Sequence, residues 1–106
     1  MLDILYISMF KYIAEFVGTF VFLSVILQAT AKDAAWPAVA PLLIVVGLLA
    51  AISMTATTSG AHLNPAVSSM MVLNKSLPVS DFLPYVGAQL LGAVAAKMFF
   101  DMLQKK

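Results

Sequence analysis

The sequence predicts an all-α membrane protein with three transmembrane helices and one re-entrant half-helix. Of its 106 residues, 62% are hydrophobic and only 10% are charged, whereas a soluble domain is typically about 45–50% apolar and about 25% charged. Three apolar stretches are long enough to cross a bilayer, which takes about 20 residues. One further stretch is too short and too polar to cross. This composition excludes most soluble enzymes, nucleic-acid-binding domains and disordered segments.

The first two predicted spans cover residues 4–31 and 34–58. The first is apolar except for Lys11, Glu15 and Gln28. The second contains no ionisable side chain, and its two prolines lie near its start, where a missing backbone N–H costs least.

The third predicted span covers residues 81–103 and is free of charge between its first residue and Lys97. Lys97 and Asp101 lie near its end, where their charged groups can reach the membrane interface. We therefore expect an integral, multi-pass membrane protein surrounded by lipid.

Residues 59–75 form the segment that does not fit a span. Asn64 is a good N-cap and Pro65 is favoured at the first helical position, so a helix should begin there and end near Asn74. About ten residues give roughly 15 Å of helix, half of the hydrocarbon core. Since non-helical backbone at membrane depth must be buried in protein or face water, we predict a re-entrant loop followed by a half-helix.

Small residues recur at helical spacing in each predicted span, which lets helices approach closely in lipid. They are Ala14 and Gly18 in the first span, Gly47, Ala51 and Thr55 in the second, and Ala88, Gly92 and Ala96 in the third. This pattern predicts a helix bundle and says nothing about function.

Charge and chemistry exclude several classes of function. Six lysines nearly balance five carboxylates, so the net charge of +1 indicates no nucleic acid or other polyanionic partner. The chain has no cysteine, which excludes disulfides and thiolate sites. With one histidine and no clustered acids, we expect no metal site and no cofactor. No nucleophile–base pair is evident, so we expect no enzymatic activity.

Three motifs resemble those of one membrane protein family. Residues 14–19 read AEFVGT, residues 59–68 read SGAHLNPAVS, and residues 85–93 read YVGAQLLGA. In this order and spacing they are similar to signatures of the major intrinsic proteins, the family of aquaporins and glycerol channels. The resemblance covers nearly the whole chain.

The resemblance implies half of an aquaporin-like bundle, because family members have six spans and two half-helices arranged as two inverted repeats. Residues 1–106 correspond to a single half repeat. It looks like the first repeat, because Val67 follows Asn-Pro-Ala at a position where the second repeat usually has arginine. The chain contains no arginine.

The resemblance and the local chemistry together make Asn64 the main candidate for function. As an N-cap, its side-chain oxygen can accept a backbone N–H while its NH₂ group remains free to donate to a solute. The positive end of the half-helix dipole disfavours cations there. The resemblance places Asn64, Pro65 and Ala66 along a pore. The alternative is that Asn64 only caps a helix.

Four further positions are candidate pore-lining residues by resemblance. The loop carbonyls of Gly60, Ala61 and His62 would line a vestibule as acceptors. Ile44 corresponds to a constriction position that is often Phe, His or Trp in the family, so the constriction would be wider and less polar here. The alternatives are a packed His62 ring and a lipid-facing Ile44.

Glu15 and Gln89 are predicted to support the loop. A carboxylate at membrane depth needs partners, and the matching family residue accepts N–H donors from the re-entrant loop. The alternatives are an interfacial ion pair between Glu15 and Lys11, and a Gln89 that only packs.

The resemblance implies passive transport of water or small neutral solutes such as glycerol. Three spans and one half-helix do not enclose a pore, so a second half is needed: another copy inserted upside down, a different polypeptide, or the remainder of a longer protein.

Two lysines lie on one expected face of the membrane and three or four on the other. This weak bias in positive charge permits insertion in both orientations. The main alternative is a non-conducting truncated or assembly subunit. A proton-coupled transporter is disfavoured because Glu15 has no second intramembrane acid.

Overall fold

A computed structural model describes residues 2–105 of the chain, and within that range all regular structure is helical. The elements are α1 (Leu2–Ala29), a 3₁₀ helix (Pro37–Val39), α2 (Ala40–Ser59), α3 (Pro65–Leu73) and α4 (Val79–Gln104). Three helical segments are long and apolar enough to cross a membrane, namely Leu2–Ala29, Pro37–Ser59 and Val79–Gln104. The predicted fold class, three spans plus a half-helix, is confirmed.

Helix α1 lies between α2 and α4, and α3 packs against α4. Small residues lie where the helices approach. A Cβ added to Gly47 would lie 2.8 Å from Val25, and one added to Gly18 would lie 2.6 Å from the Leu63 side chain. Close contact of this kind compensates for the weak hydrophobic driving force between helices in lipid.

Gly92 lies where α4 closely approaches the backbone of α1. A Cβ at Gly92 would lie 2.8 Å from the backbone oxygen of Phe16, and a backbone atom cannot rotate away. We expect Gly92→Ala to separate α1 from α4 and to lower the free energy of unfolding by about 1–3 kcal/mol. Thermal unfolding followed by circular dichroism measures the effect.

Gly87→Ala is the matched control on the same helix, because a Cβ there meets nothing within 4 Å. Alanine is a better helix former than glycine, so Gly87→Ala should be neutral or stabilising by up to about 1 kcal/mol. Equal destabilisation by both substitutions would show that α1 and α4 do not pack as described.

The short helix α3 has a defined cap at each end. At its start, Asn64 Oδ1 accepts the backbone N–H of Ala66 at 2.7 Å. At its end, Lys75 adopts a positive φ of 61° and donates to the Val72 carbonyl, while Ser76 donates to the Met71 carbonyl. This is the Schellman arrangement, usually completed by glycine. The nine residues of α3 span about 14 Å, half of a hydrocarbon core of about 30 Å.

Candidate functional site

The loop between α2 and α3 has an unusual backbone. Gly60, Ala61 and Leu63 all have positive φ values, 86°, 52° and 58°. Glycine adopts such angles freely, but for Ala61 and Leu63 the left-handed region is unfavourable by about 1 kcal/mol or more each. The conformation therefore needs support from outside the loop.

Glu15 of α1 provides that support and is completely buried. Its Oε2 accepts the Ser59 hydroxyl at 2.6 Å and the His62 backbone N–H at 3.0 Å. Its Oε1 accepts the Leu63 backbone N–H at 2.7 Å and the Gln89 side-chain amide at 2.9 Å. Four donors thus fill the acceptor sites of one carboxylate. These bonds join α1, α4, the end of α2 and the loop.

Gln89 and Ser68 extend this network to the His62 ring. Gln89 Nε2 lies 2.9 Å from Ser68 Oγ, and Ser68 Oγ lies 2.9 Å from His62 Nδ1. Gln89 and Ser68 are almost completely buried. Gln89 Oε1 is also buried, and no described residue donates to it.

Tyr85 of α4 also supports the loop, although the sequence suggested no role for it beyond membership of a motif. The buried Tyr85 hydroxyl donates to the Ser59 carbonyl at 2.7 Å. The Tyr85 ring centre lies 5.0 Å from that of His62. This carbonyl directly precedes Gly60, so the bond fixes the point where the chain leaves α2.

Tyr85→Phe is the second prediction. It leaves the buried Ser59 carbonyl without this donor and should lower the free energy of unfolding by about 1–3 kcal/mol. Denaturant titration in detergent micelles measures the loss. Tyr6→Phe is the control, since Tyr6 is 59% exposed on α1. If the two variants unfold alike, the hydrogen bond from Tyr85 contributes nothing to stability.

Lys11 does not pair with Glu15. Its Nζ lies 3.6 Å from Asp81 Oδ2, and Tyr12 donates to Asp81 Oδ1 at 2.6 Å. Asp81 is buried in the first turn of α4, where a negative charge suits the helix dipole. The ion pair with Glu15, considered above as an alternative, is therefore absent from the described part of the chain.

Asn64 lies at the exposed edge of the site. Its Oδ1 is used by the cap, and its Nδ2 donates to no residue in the range 2–105. Pro65 is half-buried and Ala66 is exposed. The two donor hydrogens of the Asn64 amide are thus available, and the amide orientation is fixed by the cap.

The loop carbonyls are also open. No donor among the described residues reaches the backbone oxygens of Gly60, Ala61 or His62. Ile44 lies apart from the loop, half-buried near the start of α2 and roughly 24 Å along the helix axis from Gly60. The structure brings Glu15, Gln89 and residues 60–66 together, but not Ile44.

Comparison with known proteins identifies the family of the chain. The sequence model of the family described as major intrinsic protein matches residues 6–106. The chain is 34% identical over 94 residues to glycerol uptake facilitator protein-like 6 of Lactiplantibacillus plantarum, an alignment covering 81% of the chain and 40% of that protein. It is 36% identical over 92 residues to aquaporin Z of Rhodopseudomonas palustris, covering 81% of the chain and 38% of the relative.

A third relative, the lens fiber major intrinsic protein of Lithobates pipiens, is 39% identical over 85 residues, with 77% of the chain and 32% of the relative covered. The chain thus spans two fifths or less of the length of these relatives. No solved structure matches. The family match over almost the whole chain, together with the three helices within residues 2–105 that are long and apolar enough to span a membrane, shows that this integral multi-pass membrane protein belongs to the major intrinsic protein family.

Proposed function

We propose that the chain forms one half of a pore through which water or small neutral solutes such as glycerol cross a membrane passively. The observation that carries the proposal is Asn64: an exposed amide with its oxygen occupied and its donors free, at the start of a helix half a bilayer long. Glu15 and Gln89 would act as loop-supporting residues rather than as groups that contact the solute.

The arrangement suits neutral hydroxylic solutes. Free amide hydrogens at Asn64 meet solute oxygens, and the open carbonyls of Gly60, Ala61 and His62 accept solute hydrogens. The α3 N-terminus carries roughly half a positive charge, which opposes cations. Relatives named as an aquaporin and as a glycerol uptake facilitator support both solute classes.

A second half is needed to enclose the solute path, and we propose a second copy inserted in the opposite orientation. The free donors of Asn64 and the loop carbonyls have no partner within residues 2–105, and two such copies would place their half-helices end to end. The weak lysine bias of the sequence is compatible with both orientations. A partner chain or a further segment of a longer protein would satisfy the same geometric need.

Flux through proteoliposomes that contain only this chain tests the channel. In sucrose, liposomes with the chain should shrink faster than empty liposomes as water leaves. In glycerol, they should shrink and then swell again as glycerol enters. If liposomes with the folded chain shrink at the rate of empty liposomes, the chain is a non-conducting subunit. The lack of arginine in the sequence also supports this alternative.

Single-cysteine labelling tests the antiparallel pairing. The chain has no natural cysteine, so Lys32→Cys and Lys75→Cys each place one thiol, at opposite ends of the bundle. In sealed vesicles, a membrane-impermeant reagent should label about half of each variant if both orientations occur. Complete labelling of one variant and none of the other would rule out the antiparallel homodimer.

A further inference from the structure

We propose that the His62 ring is held as the neutral tautomer protonated at Nε2, and that this N–H is a fixed hydrogen-bond donor beside Gly60 of the loop. The proposal rests on a continuous series of hydrogen bonds from Glu15 through Gln89 and Ser68 to His62. Each group in this series fixes the donor or acceptor role of the next, so the tautomer follows from Glu15.

The first step fixes the Gln89 amide. Three other donors already converge on the Glu15 carboxylate, and a carboxylate can only accept hydrogen bonds. The Gln89 atom 2.9 Å from Glu15 Oε1 must therefore be the NH₂ nitrogen, because an amide oxygen there would face another acceptor. The oxygen and nitrogen of the Gln89 amide are therefore assigned from their hydrogen-bond partners.

The second step fixes the Ser68 hydroxyl. The same Gln89 nitrogen lies 2.9 Å from Ser68 Oγ, so its second hydrogen is donated to Ser68. Ser68 is completely buried, and its own hydrogen needs an acceptor. His62 Nδ1, at 2.9 Å, is the other hydrogen-bond partner of this hydroxyl within the described residues. Ser68 therefore donates and Nδ1 accepts.

The third step places the proton on the ring. A neutral imidazole whose Nδ1 accepts carries its hydrogen on Nε2. Nε2 has no hydrogen-bond partner in the range 2–105, yet it is not among the buried atoms without partners, so it reaches the surface. It lies on the side of Gly60, 3.5 Å from where a Cβ of that residue would be.

The ligand that fits this donor is a water molecule or a hydroxyl oxygen. The Nε2–H group would present one hydrogen on the side of Gly60, in addition to the donors of Asn64. A solute passing the loop would then meet a donor whose position is set by buried residues rather than by a mobile side chain. This role in solute contact rests on the proposed function, whereas the tautomer does not.

Nitrogen nuclear magnetic resonance of the chain in lipid bilayers tests the tautomer directly. The chain has a single histidine, so labelling histidine ring nitrogens gives one unambiguous pair of signals. We expect Nδ1 at a non-protonated shift, Nε2 at a protonated shift, and a cross-peak between the Nε2 proton and water. A protonated Nδ1, or a missing water cross-peak, would overturn the inference.

Two serine variants show whether the network causes the tautomer. Ser68→Ala removes the donor to Nδ1 and should move the Nδ1 signal towards the protonated shift. Ser69→Ala, on the same half-helix, removes a hydroxyl that bonds the Pro65 carbonyl instead and should leave both signals unchanged. An unchanged spectrum in folded Ser68→Ala would contradict the proposal. If Ser68→Ala does not fold, the wild-type spectrum decides. Because these readouts need no flux, failure of the tautomer and failure of the channel are distinguishable.

Discussion

Glu15→Gln should destabilise the fold by about 2–5 kcal/mol, the largest loss expected from an isosteric substitution in this chain. The carboxylate accepts four hydrogen bonds in a site closed to solvent. A glutamine keeps one acceptor oxygen and turns two hydrogens towards groups that are themselves donors. Donors left unsatisfied in such a site cost about 1–3 kcal/mol each, and hydrogen bonds to charged groups are stronger than average.

The consequence should be concentrated in the loop. The Leu63 backbone N–H donates to Glu15, and Leu63 has a positive φ. Without the carboxylate, this unfavourable backbone conformation loses its support and should relax. We expect faster proteolysis between α2 and α3 and a lower unfolding midpoint in denaturant titration.

Asp3→Asn provides the control for this substitution. It also turns a carboxylate of α1 into an amide, at an exposed position in the first turn, and should lower the free energy of unfolding by no more than about 1 kcal/mol, the usual upper value for an exposed charge near a helix end. A Glu15→Gln variant as stable and as protease-resistant as Asp3→Asn would show that the four hydrogen bonds do not maintain the loop.

Asn64→Asp should abolish most solute flux while the fold is retained. Aspartate is as good an N-cap as asparagine and suits the helix dipole, so the bond to the Ala66 N–H should survive. The free donors, however, are replaced by a negative oxygen. Losing a hydrogen bond to a passing solute costs about 1.4 kcal/mol or more, so flux should fall at least about tenfold. Stopped-flow shrinkage of proteoliposomes measures this.

Asn74→Asp is the matched control at the other end of the same half-helix. Asn74 is exposed and bonds Ser76, away from the loop. Its substitution should leave flux within about twofold, since surface changes of this kind are usually within about 0.5 kcal/mol. An equal loss of flux in both variants would remove the role proposed for Asn64.

Sequence reasoning predicted the fold class because its signals are local. Span length, apolar composition and the Asn-Pro pair at the start of α3 are each readable within a short window. The family motifs also singled out Glu15, Gln89 and residues 60–66, which the structure brings together. By contrast, the bonds of Tyr85 to Ser59 and of Ser68 to His62 depend on how α4 and α3 are placed, which no local pattern contains.

Sequence reasoning also did not predict the structure of the helix ends. The second span begins with a 3₁₀ turn before α2, and Lys75 occupies a left-handed position that usually requires glycine. Lys11 pairs with Asp81, a residue distant in sequence, rather than with its helical neighbour. In each case a tertiary contact or a cap outweighs the local preference.

The support of the loop by α4 has a consequence for biosynthesis. Gln89 and Tyr85 are made after the segment that they stabilise, and backbone groups without partners are not tolerated in hydrocarbon. While the nascent chain ends before α4, the Ser59 carbonyl lacks the Tyr85 hydroxyl, and Glu15 and Ser68 lack the Gln89 amide. We therefore expect the α2–α3 loop and α3 to remain in an aqueous or translocon-protected environment until the last helix has been synthesised, so that insertion of α4 and docking of α3 form one late, cooperative step.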